Sequence, residues 1–192
     1  MSEAHVAARD QKTQLGFWIY LMTDCVLFGT LFATYIVLSG GTNGGPSGRE
    51  LFDLSFVLVE TVILLVSSLT CGLALLLARY DKVRQAIGML VVTMLLGAAF
   101  LVMEMTEFSH LVSEGHGWQA SGFLTAFFTL VGTHGAHIAV GLIWLLVLTL
   151  RLAWRGSSVH MLRRLSLAAM FWHFLDVVWI FIFTIVYFME VI

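Results

Sequence analysis

Charge is scarce in this sequence. Only 11% of its residues are Asp, Glu, Lys or Arg, 59% are hydrophobic, and mean hydropathy is +0.93. A water-soluble core of 192 residues would carry far more charge. Proline occurs once, at Pro46, so no helix-breaking ring interrupts the long apolar stretches. The two cysteines, Cys25 and Cys71, lie far apart with no CxxC or metal spacing. That excludes a disulfide framework and leaves reduced, packed thiols as the expectation. A Walker loop, a dinucleotide glycine fingerprint and a Gly-x-Ser-x-Gly elbow are all missing. So is any basic run interleaved with aromatics, and no nucleic-acid partner is expected. Neither an internal repeat nor a second soluble domain is visible, so residues 1–192 read as one domain.

What is present is five apolar stretches, each long enough to cross a bilayer. A helix rises about 1.5 Å per residue, so roughly 20 residues cross a hydrocarbon core of about 30 Å. The stretches are Gly16–Leu38, Leu54–Ala78, Ala86–Met105, Phe123–Leu150 and Leu167–Phe188. Between them lie a Gly/Ser-rich segment from Ser39 to Asp53 and a short charged turn from Arg79 to Arg84. A connection from Thr106 to Gly122 carries Glu107, His110, Glu114 and His116, and a basic one runs from Arg151 to Arg164. In lipid every backbone polar group must be satisfied within the protein, so a span is a helix or a barrel strand. Runs such as Val57–Val59 do not alternate as barrel strands do, so the expectation is an all-α membrane bundle of five helices.

The basic residues orient it. The N-terminal tail and the second-to-third and fourth-to-fifth connections share one side. They hold Arg9, Lys12, Arg79, Lys82, Arg84, Arg151, Arg155, Arg163 and Arg164, against Arg49 alone opposite. The positive-inside rule then puts the N-terminus in the cytoplasm and the C-terminus outside. The first span is too long for a signal-peptide core and lacks a cleavage site, so no cleavable signal is expected. Trp18 and Tyr20 at one boundary, and Trp118 and Tyr187 at the other, suit an aromatic belt. Small residues form flat strips for helix packing: Gly29 and Ala33; Ser67, Ser68, Thr70, Cys71 and Gly72; Gly132, Gly135, Ala136, Ala139 and Gly141.

Ionisable residues inside spans are expensive and therefore informative. They are Asp24, Glu60, Glu104, His134, His137, His173 and Asp176. Such groups face the protein interior and find partners, or stay protonated. His134 and His137 are three apart, as are His173 and Asp176, so each pair shares a helix face. Counting residues puts Asp176 roughly 14 Å and His137 roughly 20 Å from the inner ends of their spans. A His–Asp contact between the last two helices fits those depths. The structural reading is a polar lock; proton relay is the alternative. A haem held by His137 and His173 would need ligands at similar depth; counting puts His173 roughly 12 Å in, a difference from His137 comparable with the span-end error of about 2–4 residues, so an independent membrane haem or metal protein stays a lesser alternative. A zinc or copper site would need three or four converging ligands from His134, His137, His173 and Asp176. A channel using Asp24, Glu60 and Asp176 would be expected to break its helices near the midplane, and these spans contain no proline.

Five segments give the chain a resemblance: GFWIYLMTDCVLF (Gly16–Phe28), VLVETVILLVSSLTCG (Val57–Gly72), MEMTEFSHL (Met103–Leu111), FFTLVGTHGAHIAVGLIW (Phe127–Trp144) and FWHFLDVVWIFIFTIVYFM (Phe171–Met189). Together they resemble subunit III of the haem-copper respiratory oxidases, and within that family the branch of bacterial cytochrome o ubiquinol oxidases. The resemblance implies a non-catalytic integral subunit of a proton-pumping oxidase that oxidises ubiquinol and reduces oxygen to water. It implies no cofactor in this chain, with haems and copper in subunit I. It implies contact with subunit I, with subunits II and IV in the complex, and with membrane phospholipids, in a bacterial cytoplasmic membrane. Asp24, Glu104, His134, His137, His173 and Asp176 become family signature positions with structural or lipid-contacting roles. Cytochrome c oxidase relatives commonly have seven spans and an intramembrane glutamate from which Glu60 is offset, so that role is not transferred. Five spans favour the quinol branch; a cytochrome c oxidase subunit III is the alternative.

Overall fold

A computed structural model describes residues 3–41, 54–115 and 117–189, with side chains from residue 12 onward. Its described residues are helical, with no strand. In chain order the helices are α1 (Glu3–Leu38), α2 (Leu54–Arg79), α3 (Val83–Ser113), α4 (Gly122–Arg155) and α5 (Val159–Ile182). The last continues as a π-helical segment, Phe183–Phe188. All five are long and apolar enough to cross a membrane.

The helices outrun the apolar stretches. Hydropathy marks where lipid lies, whereas a helix continues while its backbone bonds are satisfied. Thus α3 runs on to Ser113, and Glu107 and His110 are helical rather than part of a connection. Similarly, α5 begins at Val159, where Ser158 accepts a hydrogen bond from the Met161 N–H at 3.2 Å. Ser121 caps α4 in the same way, accepting from Leu124 at 3.1 Å. Between α2 and α3 only residues 80–82 intervene; Asp81, at φ 58°, makes the reversal. Pro46, Arg49 and His116 lie outside the described residues.

α2 and α3 share the most extensive interface, and α4 and α5 close the bundle against them. α1 packs chiefly on α4, with a smaller contact on α5. Two indoles fill the centre. Trp172 donates from Nε1 to Ser67 Oγ at 3.1 Å, and Ser67 Oγ donates to the Thr93 carbonyl at 3.1 Å. The Trp172 ring lies against Gly97 and Gly141, where a Cβ would come within 2.7 Å and 3.1 Å of ring carbons. Trp179 donates to Thr61 Oγ1 at 3.0 Å and meets Phe100 edge-on at 4.6 Å. So Ser67 and Gly141 serve contacts within the bundle. Gly29 and Ala33 do not: both are exposed, and nothing lies within 4 Å of a Cβ placed on Gly29. Cys71 is buried but Cys25 is exposed, so only one thiol is packed. The belt assignment is corrected at one position. Trp18, Tyr20 and Trp118 are exposed, but Tyr187, within the π-helical segment, is fully buried and its hydroxyl turns to Glu107 instead of the boundary.

Candidate functional site

The polar residues inside the spans fall into three groups. The first joins α1 to α4. His137 Nε2 lies 3.9 Å from Asp24 Oδ1, and His137 Nδ1 lies 2.7 Å from the Thr133 carbonyl. Phe28 packs beside this imidazole at 5.2 Å. The expected His–Asp contact between the last two helices is therefore corrected: the carboxylate facing His137 comes from α1. Residue counts give height along a helix but not which neighbour it faces. Breaking this pair by Asp24→Leu or His137→Leu should cost about 1–3 kcal/mol each, since the remaining His137 Nε2 or Asp24 Oδ1 loses the group it faces. The double variant should cost less than the sum. Thermal unfolding in detergent, analysed as a double-mutant cycle, measures the coupling.

The second group joins α2 to α5 near the middle of both helices. Ser68 Oγ and His173 Nδ1 are 2.6 Å apart. Asp176 is buried beside them, and its Oδ1 has no hydrogen-bond partner among the described residues. His173 itself is exposed, on the wall of an open groove of about 520 Å³ lined by Leu65, Leu69, Leu73 and Leu76. The imidazole packs against Gly72; a Cβ there would make an ordinary contact at 3.7 Å from His173 Nε2.

The third group lies where α2 begins and α3 ends. Glu60 is fully buried with neither carboxyl oxygen bonded, and Glu104 is 2% exposed with Oε2 unbonded. Glu107, which lies beyond the apolar stretch of α3, interacts electrostatically with both. Its Oε2 accepts from Tyr187 Oη at 3.1 Å. The available signal was its spacing: Glu107 follows Glu104 by three residues, so one continuous helix puts both on one face. Gly135 admits the Glu104 carboxyl, whose Oε1 lies 2.8 Å from where a Cβ would be. His134 is fully buried and stacks on Trp179 at 5.4 Å, with no hydrogen bond to either nitrogen.

No three His, Cys, Asp or Glu side chains converge as a metal-ligand set among the described residues. His134 and His137 point to different groups, and His173 belongs to a third. The polar residues join helices in pairs and leave several oxygen and nitrogen atoms without partners.

Comparison with known proteins gives a coherent result. The family model described as cytochrome c oxidase subunit III matches residues 1–191. The chain is 52% identical over 197 residues to cytochrome bo(3) ubiquinol oxidase subunit 3 of Pseudomonas aeruginosa, covering 98% of this chain and 94% of the relative. It is 54% identical over 181 residues to the protein of the same name from Pseudomonas putida, covering 94% and 87%. It is 47% identical over 190 residues to cytochrome c oxidase subunit 3 of Bacillus sp. strain PS3, covering 97% and 90%.

Proposed function

Because this chain belongs to the cytochrome c oxidase subunit III family of haem-copper oxidases, we propose that it is the non-catalytic five-helix subunit of a bacterial ubiquinol oxidase. It associates with the catalytic subunit I in the cytoplasmic membrane. The observation that carries this reading is the near-complete two-way match to relatives named ubiquinol oxidase subunit 3. The complex it serves oxidises ubiquinol, reduces oxygen to water and pumps protons, with haems and copper held by subunit I. Subunits II and IV complete the complex. The N-terminus and the arginine-rich turns face the cytoplasm.

Two features of the bundle support an accessory role. His173 is exposed near the middle of a membrane-spanning helix. Leaving an imidazole against acyl chains is costly or demands a polar cover, and a subunit I helix supplies one. At the cytoplasmic end, a cavity of about 900 Å³ is lined by Arg79, Arg151, Arg155, Arg163 and Arg164, with no acidic residue in its wall among the described side chains. It opens beside the start of α5, whose first turn also lacks an acid. This suits the headgroup of an anionic phospholipid. Asp24, Glu60, Glu104, His134, His137, His173 and Asp176 hold helices together or meet lipid and partner.

Mild detergent extraction of the native membrane tests the proposal. The chain is expected to co-purify with a larger haem-bearing subunit, while the isolated chain shows no Soret band. A Soret band from the isolated chain rejects the assignment. Asp176→Leu should weaken retention of this chain while turnover per haem in the remaining intact complex is kept; total loss of turnover in an intact, fully haem-loaded complex contradicts it. The relative from Bacillus sp. favours a second reading, a cytochrome c oxidase subunit. Assaying oxygen uptake with ubiquinol and with reduced cytochrome c separates the two.

A further inference from the structure

The group at the start of α2 and the end of α3 has more acid than its surroundings satisfy. Three carboxyls, Glu60 from α2 and Glu104 and Glu107 from α3, interact with one another and with Tyr187. Among the described side chains Lys12, Arg79, Lys82, Arg84, Arg151, Arg155, Arg163 and Arg164 all sit at the other end of the helices. A bound metal is not the answer either, because no convergent ligand set exists among the described residues.

The unbonded atoms point to what fills the gap. Both Glu60 oxygens and Glu104 Oε2 are buried without a protein hydrogen bond, so the carboxyls are not paired directly through these oxygens. A buried carboxyl in this state costs several kcal/mol unless a proton neutralises it and a water bonds it. Buried waters characteristically make two to four hydrogen bonds to such orphaned groups. The backbone at this place is also unusual. The π-helical turn Phe183–Phe188 puts the Tyr187 hydroxyl on Glu107, and π-turns recur at functional sites.

We propose that Glu60, Glu104, Glu107 and Tyr187 enclose a hydrated proton-holding site, in which internal water bridges the unbonded carboxyl oxygens and bound protons neutralise the acids. Among the described residues, the other titratable groups toward this end are His134 from α4, which borders the site through Trp179, Tyr35 from α1, packed on Phe123, and the His110–Glu114 pair at the solvent-exposed end of α3. The Asp24–His137 pair lies on a separate face. Glu60 is the site's central acid because both of its oxygens need the water; Tyr187 supplies one fixed donor.

Two measurements on the purified complex test this. The first is radiolytic hydroxyl labelling, which marks side chains beside bound water. Tyr187 and Trp172 are about equally hidden from bulk solvent. Tyr187 should label and Trp172, whose indole N–H is satisfied by Ser67, should not. Tyr187 labelling no faster than Trp172 overturns the proposal in the wild-type protein, with no variant required. The second is infrared spectroscopy in light and heavy water. The wild-type complex should show a protonated-carboxyl C=O band that shifts in heavy water, with intensity lost in Glu60→Gln and in Glu104→Gln. An unchanged carboxyl band in both variants overturns proton holding even if water is found.

Discussion

Gly97→Leu is expected to cause a large loss of stability in this chain. A Cβ at that position would lie 2.7 Å and 2.8 Å from Trp172 ring carbons and 3.1 Å from a Leu142 methyl. Trp172 cannot retreat, because Gly141 already holds its opposite edge within 3.2 Å of a prospective Cβ. Overpacking of this kind costs about 1–3 kcal/mol, occasionally more. If the indole is expelled, its hydrogen bond to Ser67 goes with it, adding about 1 kcal/mol and loosening the α2–α3 contact that Ser67 makes with the Thr93 carbonyl. Gly97→Ala should show a smaller version of the same loss. Gly88→Ala on the same helix, with nothing within 4 Å, should be neutral or slightly stabilising through helix propensity. Melting midpoints of the detergent-solubilised complex compare the three.

Trp179→Ala should cost about 3–5 kcal/mol, as for other fully buried indoles. The ring touches every side of the site: Phe100 edge-on at 87°, His134 in a stack, and Tyr187 at 6.2 Å, while its N–H satisfies Thr61. Alanine leaves a cavity that lipid tails cannot enter from outside, and in a membrane bundle it is this packing, not exclusion of water, that holds helices together. Trp179→Phe keeps most of the packing and loses the hydrogen bond, so a loss near 1 kcal/mol is expected. The ratio of the two losses, read from unfolding midpoints, separates packing from hydrogen bonding. Equal losses would mean that the Thr61 contact, not the ring volume, governs this site.

The spans were readable because apolar runs of sufficient length have one outcome in lipid. Their ends were not, because α1 and α3 continue into polar sequence where hydropathy falls but hydrogen bonding does not. That difference hid Glu107. Leu111 is buried one turn further along α3 and showed that the face continues. The ionisable residues were visible by type, since any charge within a span stands out. Their partners were not visible. Spacing within a helix assigns a face, but whether Asp24 or Asp176 meets His137 depends on how helices far apart in sequence are arranged. Tyr187 differs from the belt expectation for a related reason: nearness to a span end gives height, whereas burial depends on which neighbour the side chain faces, here Glu107 of α3.

The three-residue reversal around Asp81 also bears on how the molecule is made. α2 and α3 are adjacent in the chain and in space, so they can enter the bilayer as a ready-formed pair early in synthesis. α1 emerges first, yet the helix it leans on, α4, is translated after that pair. The nascent first segment therefore waits in lipid with Asp24 lacking its imidazole until His137 arrives. Insertion factors that shield a lone acidic segment would act during this interval, and any pause in translation between α3 and α4 would lengthen it.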